Sequence, residues 1–398
     1  MIASQWMRPL GWPARRLRQG YRLQDLPFLA LARLRGQSPQ DWEAELNARE
    51  TQARVEVMRT TPRTLFLEIT SRCPIECLMC ARRYRNWVYG DMTEGLFAQL
   101  TRIFPRVAMV VLGGFGEPLV ARSFDRYFDQ LSALGARVAL QTSGFRLTEE
   151  RAERLVSGGL RHLHISIDSP EEETYRSIRP GISLPEVQDR IRQIVRLKRA
   201  ANTPWPAVQI VFVAMRRNIE QLPPMVDLAS DLGADSLTVQ HMVAHAEEVR
   251  AESLFYHQEL ANRMLDAAQA RARQVGLKIE LPDRFGSPPG EAQPHCADPW
   301  QVMFVRWNGE VRPCCYAPNV IMGNLAENSF HAIWNGPAYR ELRRRVNSDN
   351  PPDYCLICTA GRKRGVDDER AHVVLAPGQQ LSRPFEPASE ESPSPAGG

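Results

Sequence analysis

The chemistry of this chain is concentrated in its eight cysteines, which fall into two groups. Cys73, Cys77 and Cys80 lie in the stretch LFLEITSRCPIECLMCARR with the spacing Cys-x3-Cys-x2-Cys. No cysteine follows until Cys296, and the other five lie between Cys296 and Cys358. Three thiolates so close together, with no other soft ligand nearby, suit an iron–sulfur cluster. Structural zinc is usually gripped by paired Cys-x2-Cys hooks that complete four ligands. A cube of four irons held by three thiolates leaves one iron with an open position, as a catalytic metal requires. In the second group, Cys296, Cys314 or Cys315, Cys355 and Cys358 make a complete four-thiolate set. Ligands from a hairpin end and a Cys-x2-Cys hook can enclose zinc or a further cluster, and the residues alone leave that choice open.

The elements that must position these thiols can be read from periodicity. Short β-branched or apolar runs at 65–69, 108–112, 137–141, 162–167, 208–213 and 236–240 alternate with amphipathic stretches at 94–104, 124–134, 149–157, 184–200, 221–232 and 255–274. Six such repeats predict parallel βαβ units in an α/β fold, with the sheet open or forming a partial barrel. Glycine-rich turns at 113–116, 158–159 and 233 punctuate them. The first cysteine group then sits in the loop leaving the first strand, and the site belongs at the C-terminal ends of the strands.

Past residue 281 the periodicity stops at Pro282, Pro288, Pro289 and Pro294. The expected organisation is an Arg-rich, partly helical extension over 1–60, a barrel over 61–281, a Cys-rich segment over 282–365 and a disordered Pro-rich tail over 366–398. Within the Cys-rich segment, 302–306 and 311–313 around Asn308–Gly309 read as a hairpin.

Composition narrows the class. With 43% apolar and 24% charged residues, the 398-residue chain is an ordinary globular protein. No apolar run is long enough for a membrane span, and no secretory signal is evident, so a cytoplasmic location is expected. The net charge of +4 is local: residues 1–36 hold seven Arg and one Asp. That arm lacks the aromatic interleaving of a nucleic-acid module, so stable nucleic-acid binding is not expected. A non-catalytic iron–sulfur sensor is the remote alternative, but a sensor has no need of an open iron.

Further motifs sit at the predicted strand ends. The second strand ends in VLGGFGEPLV, where Gly114 and Gly116 let the backbone approach a ligand and Glu117, before Pro118, offers a carboxylate. The third ends in QTSG, with Ser143. The fourth reads HISIDS, with Ser166 and Asp168, and YRSIRPG follows with Arg179. His162, His164, His241 and His245 are scattered, and none is assigned a role.

The cysteine triplet after the first strand, together with GFGEP, resembles the radical S-adenosylmethionine (SAM) superfamily. The resemblance implies a partial (β/α)6 barrel with a small C-terminal Cys-rich extension. It implies that Cys73, Cys77 and Cys80 hold a 4Fe-4S cluster whose open iron is chelated by the amino and carboxylate groups of SAM. An electron from the reduced cluster then breaks the sulfonium bond, and the 5′-deoxyadenosyl radical abstracts a hydrogen atom from substrate. GFGEP resembles the family's GGEP motif with one residue more between the glycines; Gly114, Gly116, Glu117 and Pro118 would meet the amino group of SAM. Ser143, Ser166 and Asp168 would face its ribose and methionine ends, and Arg179 its carboxylate.

The C-terminal order Cys…Trp…Asn-Gly-Glu-Val-x-Pro-Cys-Cys…Gly-Asn…Trp-Asn…Cys-x2-Cys is similar to the SPASM/twitch extension of that superfamily. It implies one auxiliary 4Fe-4S cluster on Cys296, Cys314, Cys355 and Cys358, with Cys315 spare. The implied activity is a radical SAM oxidoreductase performing an oxidative tailoring step on a small molecule; the alternative is a maturase that cross-links or epimerises a peptide. The implied electron donor is a flavodoxin or ferredoxin. Tyr84, Tyr316 and Asp298 lie near predicted ligands, and nothing in the sequence selects among them for a catalytic role.

Overall fold

A computed structural model describes residues 30, 34, 36–286, 296–315, 320–356, 358 and 366–374. Most of the basic arm, Tyr316 and the tail beyond Val374 lie outside the described residues. The first long element is helix α1 (Pro39–Gln52), started by a capping box between Ser38 and Asp41. Its buried face is polar: Glu43, Asn47, Glu50 and Thr51. The Asn47 amide nitrogen lies 3.1 Å from Thr60 Oγ1, 3.0 Å from the Thr61 carbonyl and 2.8 Å from the Trp300 carbonyl. Glu43 accepts from the Thr61 amide (2.8 Å) and from Arg106 (2.9 Å). This helix is therefore bolted under the barrel by hydrogen bonds. Asn47→Leu leaves buried acceptors without a donor and is expected to cost about 1–3 kcal/mol, measured by thermal unfolding of the full chain.

The barrel follows in chain order: β1 (Thr64–Leu67), α2 (Glu94–Leu100), β2 (Met109–Leu112), α3 (Phe124–Ala133), β3 (Val138–Thr142), α4 (Glu149–Ser157), β4 (His162–Ser166), α5 (Glu172–Ile178), α6 (Leu184–Ala200), β5 (Ala207–Ala214), α7 (Leu222–Asp231), β6 (Ser236–His241), α8 (Gln258–Val275) and β7 (Lys278–Glu280). Helix α5 and strand β7 are too short to show a period in sequence. Residues of one strand face, such as Leu65, Leu112, Leu140, Ile165, Ile210 and Phe212, are fully buried under the helices. The other face lines the barrel interior; it carries Phe66, Gln141, His164, Gln209 and Thr238, which are half-buried, and Glu280, which is exposed. Burial pushes His164 down to about 4, so its imidazole is neutral inside the barrel near neutral pH.

The Cys-rich segment contributes α9 (Asp298–Gln301), β8 (Val302–Val305), β9 (Glu310–Arg312), β10 (Gly323–Asn324), α10 (Phe330–Trp334), α11 (Pro337–Arg345), α12 (Asp353–Leu356) and α13 (Glu369–His372). Strands β8 and β9 form the antiparallel hairpin that the sequence predicts. Strand β8 also pairs in parallel with β1, Phe66 facing Phe304 with the rings stacked 4.1 Å apart. A single sheet of ten strands results, in the order β10-β9-β8-β1-β2-β3-β4-β5-β6-β7. The strand opening the extension thus covers the free edge of the first barrel strand, which would otherwise be left with unpaired backbone groups. The sheet has two ends and does not close, as a partial barrel requires. Among the described residues, no helix is long and apolar enough to cross a membrane.

Candidate functional site

Because β1 to β6 run parallel, the loops at their C-terminal ends gather at one mouth. The loop after β1 is closed at its base by the Ser71 amide donating to the Gly90 carbonyl and the Gly90 amide donating to Ser71 Oγ, each 2.9 Å. Arg82, buried at the loop's centre, donates to the carbonyls of Cys73 (3.2 Å) and Ile75. The Leu78 amide donates to the Ile178 carbonyl at the end of α5 (2.9 Å). Cys77 is buried, and Cys73 and Cys80 are half-buried. Cys77 lies within electrostatic reach of both others.

Burial pushes the Cys73 thiol up to about 12 and raises Cys77 as well. A buried thiol keeps its proton unless a metal takes the proton's place. Among the described residues, no three His, Cys, Asp or Glu side chains gather tightly enough for a single metal ion. Three thiols spread along one loop fit instead a group that distributes its ligands over several metal atoms.

The turn after β2 presses its backbone against the exit of β1. At Gly114 (φ +153°) a Cβ would stand 2.8 Å from Glu68 Oε2, and at Gly116 one would stand 2.0 Å from the Thr70 carbonyl oxygen. Pro118 then opens a single 3-10 turn. Glu117 is 3% exposed and accepts from Thr142 Oγ1 (2.7 Å), the Ser143 amide (2.8 Å), Ser143 Oγ (2.6 Å) and the Leu119 amide (3.1 Å). Burial raises its carboxyl, and these donors oppose the rise. Four donors occupy the lone-pair directions of a carboxylate, so Glu117 clips the β2 turn to the end of β3.

Glu68, the first residue after β1, drew no attention in the sequence. Its Oε2 accepts from the Phe115 amide (2.9 Å) and its Oε1 from Arg306 Nε (3.1 Å), just past β8. Arg306 in turn lies over the Trp87 ring at 4.9 Å. Glu68 therefore joins the glycine turn to the C-terminal hairpin. A carboxylate in the apolar run LFLEIT is the signal that would have found it.

Asp168 and Arg179 meet in the protein interior. Arg179 Nε donates to Asp168 Oδ2 at 2.5 Å, and Arg179 Nη1 lies 3.5 Å from Cys77 Sγ. The other Asp168 oxygen accepts from the Val213 amide (2.8 Å). Burial alone would lower the Arg179 pKa, but the Asp168 carboxylate outweighs it and the guanidinium stays charged. Cys73, Cys77, Cys80, Glu117, Ser143, Asp168 and Arg179 are thus linked by contacts or electrostatic reach at one mouth. Ser166 is half-buried on the inner face of β4, and its hydroxyl has no partner among the described residues.

In the second group, Cys296, Cys355 and Cys358 lie within mutual reach. Burial pushes Cys296 and Cys355 up to about 12. Cys314 is half-buried beside Tyr339 and Tyr354, and Tyr354 also neighbours Cys355. Cys315 is exposed. The chemistry of this donor set, four half-buried thiols from the stretch before α9, the hairpin end and the hook, fits a fully ligated cluster. Of the side chains near the two groups, Tyr84 donates to the Leu78 carbonyl (2.6 Å) and Asp298 is raised by burial.

Comparison with known proteins agrees with this geometry. The sequence profile of the radical SAM superfamily matches residues 67–229, and that of the SPASM iron–sulfur cluster-binding domain matches residues 296–359. The chain is 26% identical over 302 residues to the tungsten-containing aldehyde ferredoxin oxidoreductase cofactor-modifying protein of Pyrococcus furiosus, covering 70% of this chain and 82% of that protein. It is 28% identical over 331 residues to the PqqA peptide cyclase of Rhizobium meliloti, covering 76% and 82%. Its fold is similar to that of Streptococcus suis SuiB bound to S-adenosylmethionine, with a TM-score of 0.58 at 16% identity over 85% of this chain and 81% of SuiB. The chain belongs to the radical SAM superfamily, with a C-terminal SPASM domain, and its cofactors are a SAM-binding 4Fe-4S cluster, an auxiliary 4Fe-4S cluster and SAM.

Proposed function

We propose that this chain is an oxidative radical SAM maturase acting on a peptide. The observation that carries the substrate class is the match to peptide cyclases across both the barrel and the SPASM domain, 76% of this chain in the Rhizobium meliloti relative. It is preferred to the small-molecule substrate expected from the sequence because PqqA peptide cyclases from several bacteria are similar to this chain over 75–77% of its length. Cys73, Cys77 and Cys80 hold the SAM-binding cluster; Cys296, Cys314, Cys355 and Cys358 hold the auxiliary one. When bound, the first cluster would chelate SAM and supply the one-electron reduction of its sulfonium that allows a hydrogen atom to be taken from substrate.

The protein's own part is to orient and to exclude water. Gly114 and Gly116 present backbone to the methionine end of SAM, and Glu117 with Ser143 fixes that turn. Arg179, locked by Asp168, places positive charge against Cys77. Ser166, whose hydroxyl has no partner among the described residues, faces the barrel interior. The expected electron donor is a reduced flavodoxin or ferredoxin, and Cys296, Cys314, Cys355 and Cys358 would hold an auxiliary cluster able to take up an electron from an oxidised substrate.

The test is anaerobic. Protein reconstituted with iron and sulfide is given SAM and dithionite, and 5′-deoxyadenosine is read by chromatography. Wild type is expected to form it and Cys77→Ala to form none. Addition of the host cell's peptide fraction should stimulate turnover and leave a peptide lighter by two hydrogens. Stimulation by the small-metabolite fraction alone would overturn the peptide reading.

A further inference from the structure

The last described segment, 366–374, follows the Cys-x2-Cys hook and lies beyond the residues that either profile matches. It returns from the SPASM domain to the barrel mouth. Just past the end of β6, Ala244 forms a parallel bridge with Val373: the Ala244 amide donates to the His372 carbonyl (2.8 Å) and the Val374 amide to the Ala244 carbonyl (2.9 Å). Glu369 accepts from Arg250 (2.5 Å) and from the Tyr256 hydroxyl. Asp367 accepts from the Gly286 amide (2.8 Å). His372 is 1% exposed, its ring against His241, Phe255 and Phe285. So many tethers on nine residues mark a built contact and not a trailing end.

What the segment reaches is more telling. Val373 completes a small apolar cluster with Ile178, Met215, Met242, Ala246 and Val249, separate from the main core. Onto this cluster pack Leu78, Met79 and Tyr84, the residues between and after the second and third cysteines. Arg82, Arg83 and Tyr84 tie this limb back to its own loop, and its polar links to the rest of the barrel are the Leu78 amide to Ile178 and Arg179 to Cys77 Sγ. The apolar contact adds to these two links, and the limb should open more easily when the surface beneath it is lost.

We propose that segment 366–374 is a buttress for the Cys77–Cys80 limb, with Val373 as a positioning residue that keeps Met79, and with it Cys80, seated against the ends of β5 and β6. The proposal rests on Cys77 and Cys80 being ligands of the SAM-binding cluster. It gives the chain beyond the SPASM domain a role at the opposite metal site.

The test uses full-length protein, reconstituted and cluster-free, with Val373→Asp, the milder Val373→Ala and the conservative Val373→Ile. Hydrogen–deuterium exchange is read at amides 77–84, and SAM affinity by calorimetry on the reconstituted forms. Expected is about tenfold faster exchange at 77–84 in Val373→Asp, equal to about 1.4 kcal/mol of local opening. Val373→Ala should be intermediate and Val373→Ile like wild type, while β1 to β4 keep their protection. The Kd for SAM should rise in the same order. Unchanged exchange at 77–84 in both Val373→Asp and Val373→Ala overturns the proposal, as does a uniform loss of protection across the barrel. Neither readout needs substrate or turnover, so this result is independent of the peptide assignment.

Discussion

Arg179→Leu is expected to abolish SAM-dependent turnover and to destabilise the barrel by about 3–5 kcal/mol, the cost of leaving a buried charge without its partner. Asp168 is fully buried, and its Oδ2 faces only the Arg179 guanidinium among the side chains bonded to it. Removing that charge strands the carboxylate. The same guanidinium lies 3.5 Å from Cys77 Sγ. Loss of a cation beside a ligating sulfur makes the cluster harder to reduce, so its midpoint potential should fall. Arg179→Lys keeps the charge but not the planar fork that spans Asp168 and Cys77 together. It should recover more stability than activity. Thermal unfolding, redox titration and 5′-deoxyadenosine formation separate these effects. A Leu variant with wild-type unfolding and potential would show that the pair is incidental.

The second large effect is expected at Gly116. A methyl group there would stand 2.0 Å from the Thr70 carbonyl oxygen and 2.7 Å from its carbon. Both are backbone atoms at the root of the cysteine loop, so no side chain can swing aside. Gly116→Ala must displace either the GFGEP turn or the loop, at the upper end of the about 1–3 kcal/mol that overpacking costs. SAM affinity should fall by at least about tenfold, or about 1.4 kcal/mol. Gly95→Ala, within α2 and with nothing within 4 Å of the added methyl, is the control and should leave affinity unchanged and stability equal or higher by up to about 1 kcal/mol. Calorimetric titration of SAM into the two reconstituted variants decides it. Equal affinities would mean that the turn does not contact SAM.

Much of this protein was legible in one dimension. Parallel strands buried under helices read as apolar runs between amphipathic stretches, and α4 and α6 fall where the period places them. The three-cysteine loop is local, since ligands from one short loop need only the correct spacing. Helix α1 was harder to read as part of the body because its buried face carries Glu43, Asn47 and Glu50, satisfied by partners as distant as Arg106 and Trp300. Such a face has no apolar period to detect.

Sequence by itself thus determined the fold class and the nature of the metal chemistry. These depend on short-range spacing and on strand and helix periods, which survive in a linear string. Tertiary structure decided how the parts are joined. It placed β8 beside β1, set Glu68 between the glycine turn and Arg306, turned Arg179 onto Asp168 and Cys77, and returned Val373 to the barrel mouth. Each of these is a pairing whose partner's identity is set by packing and by the need to satisfy buried polar groups, not by neighbours along the chain.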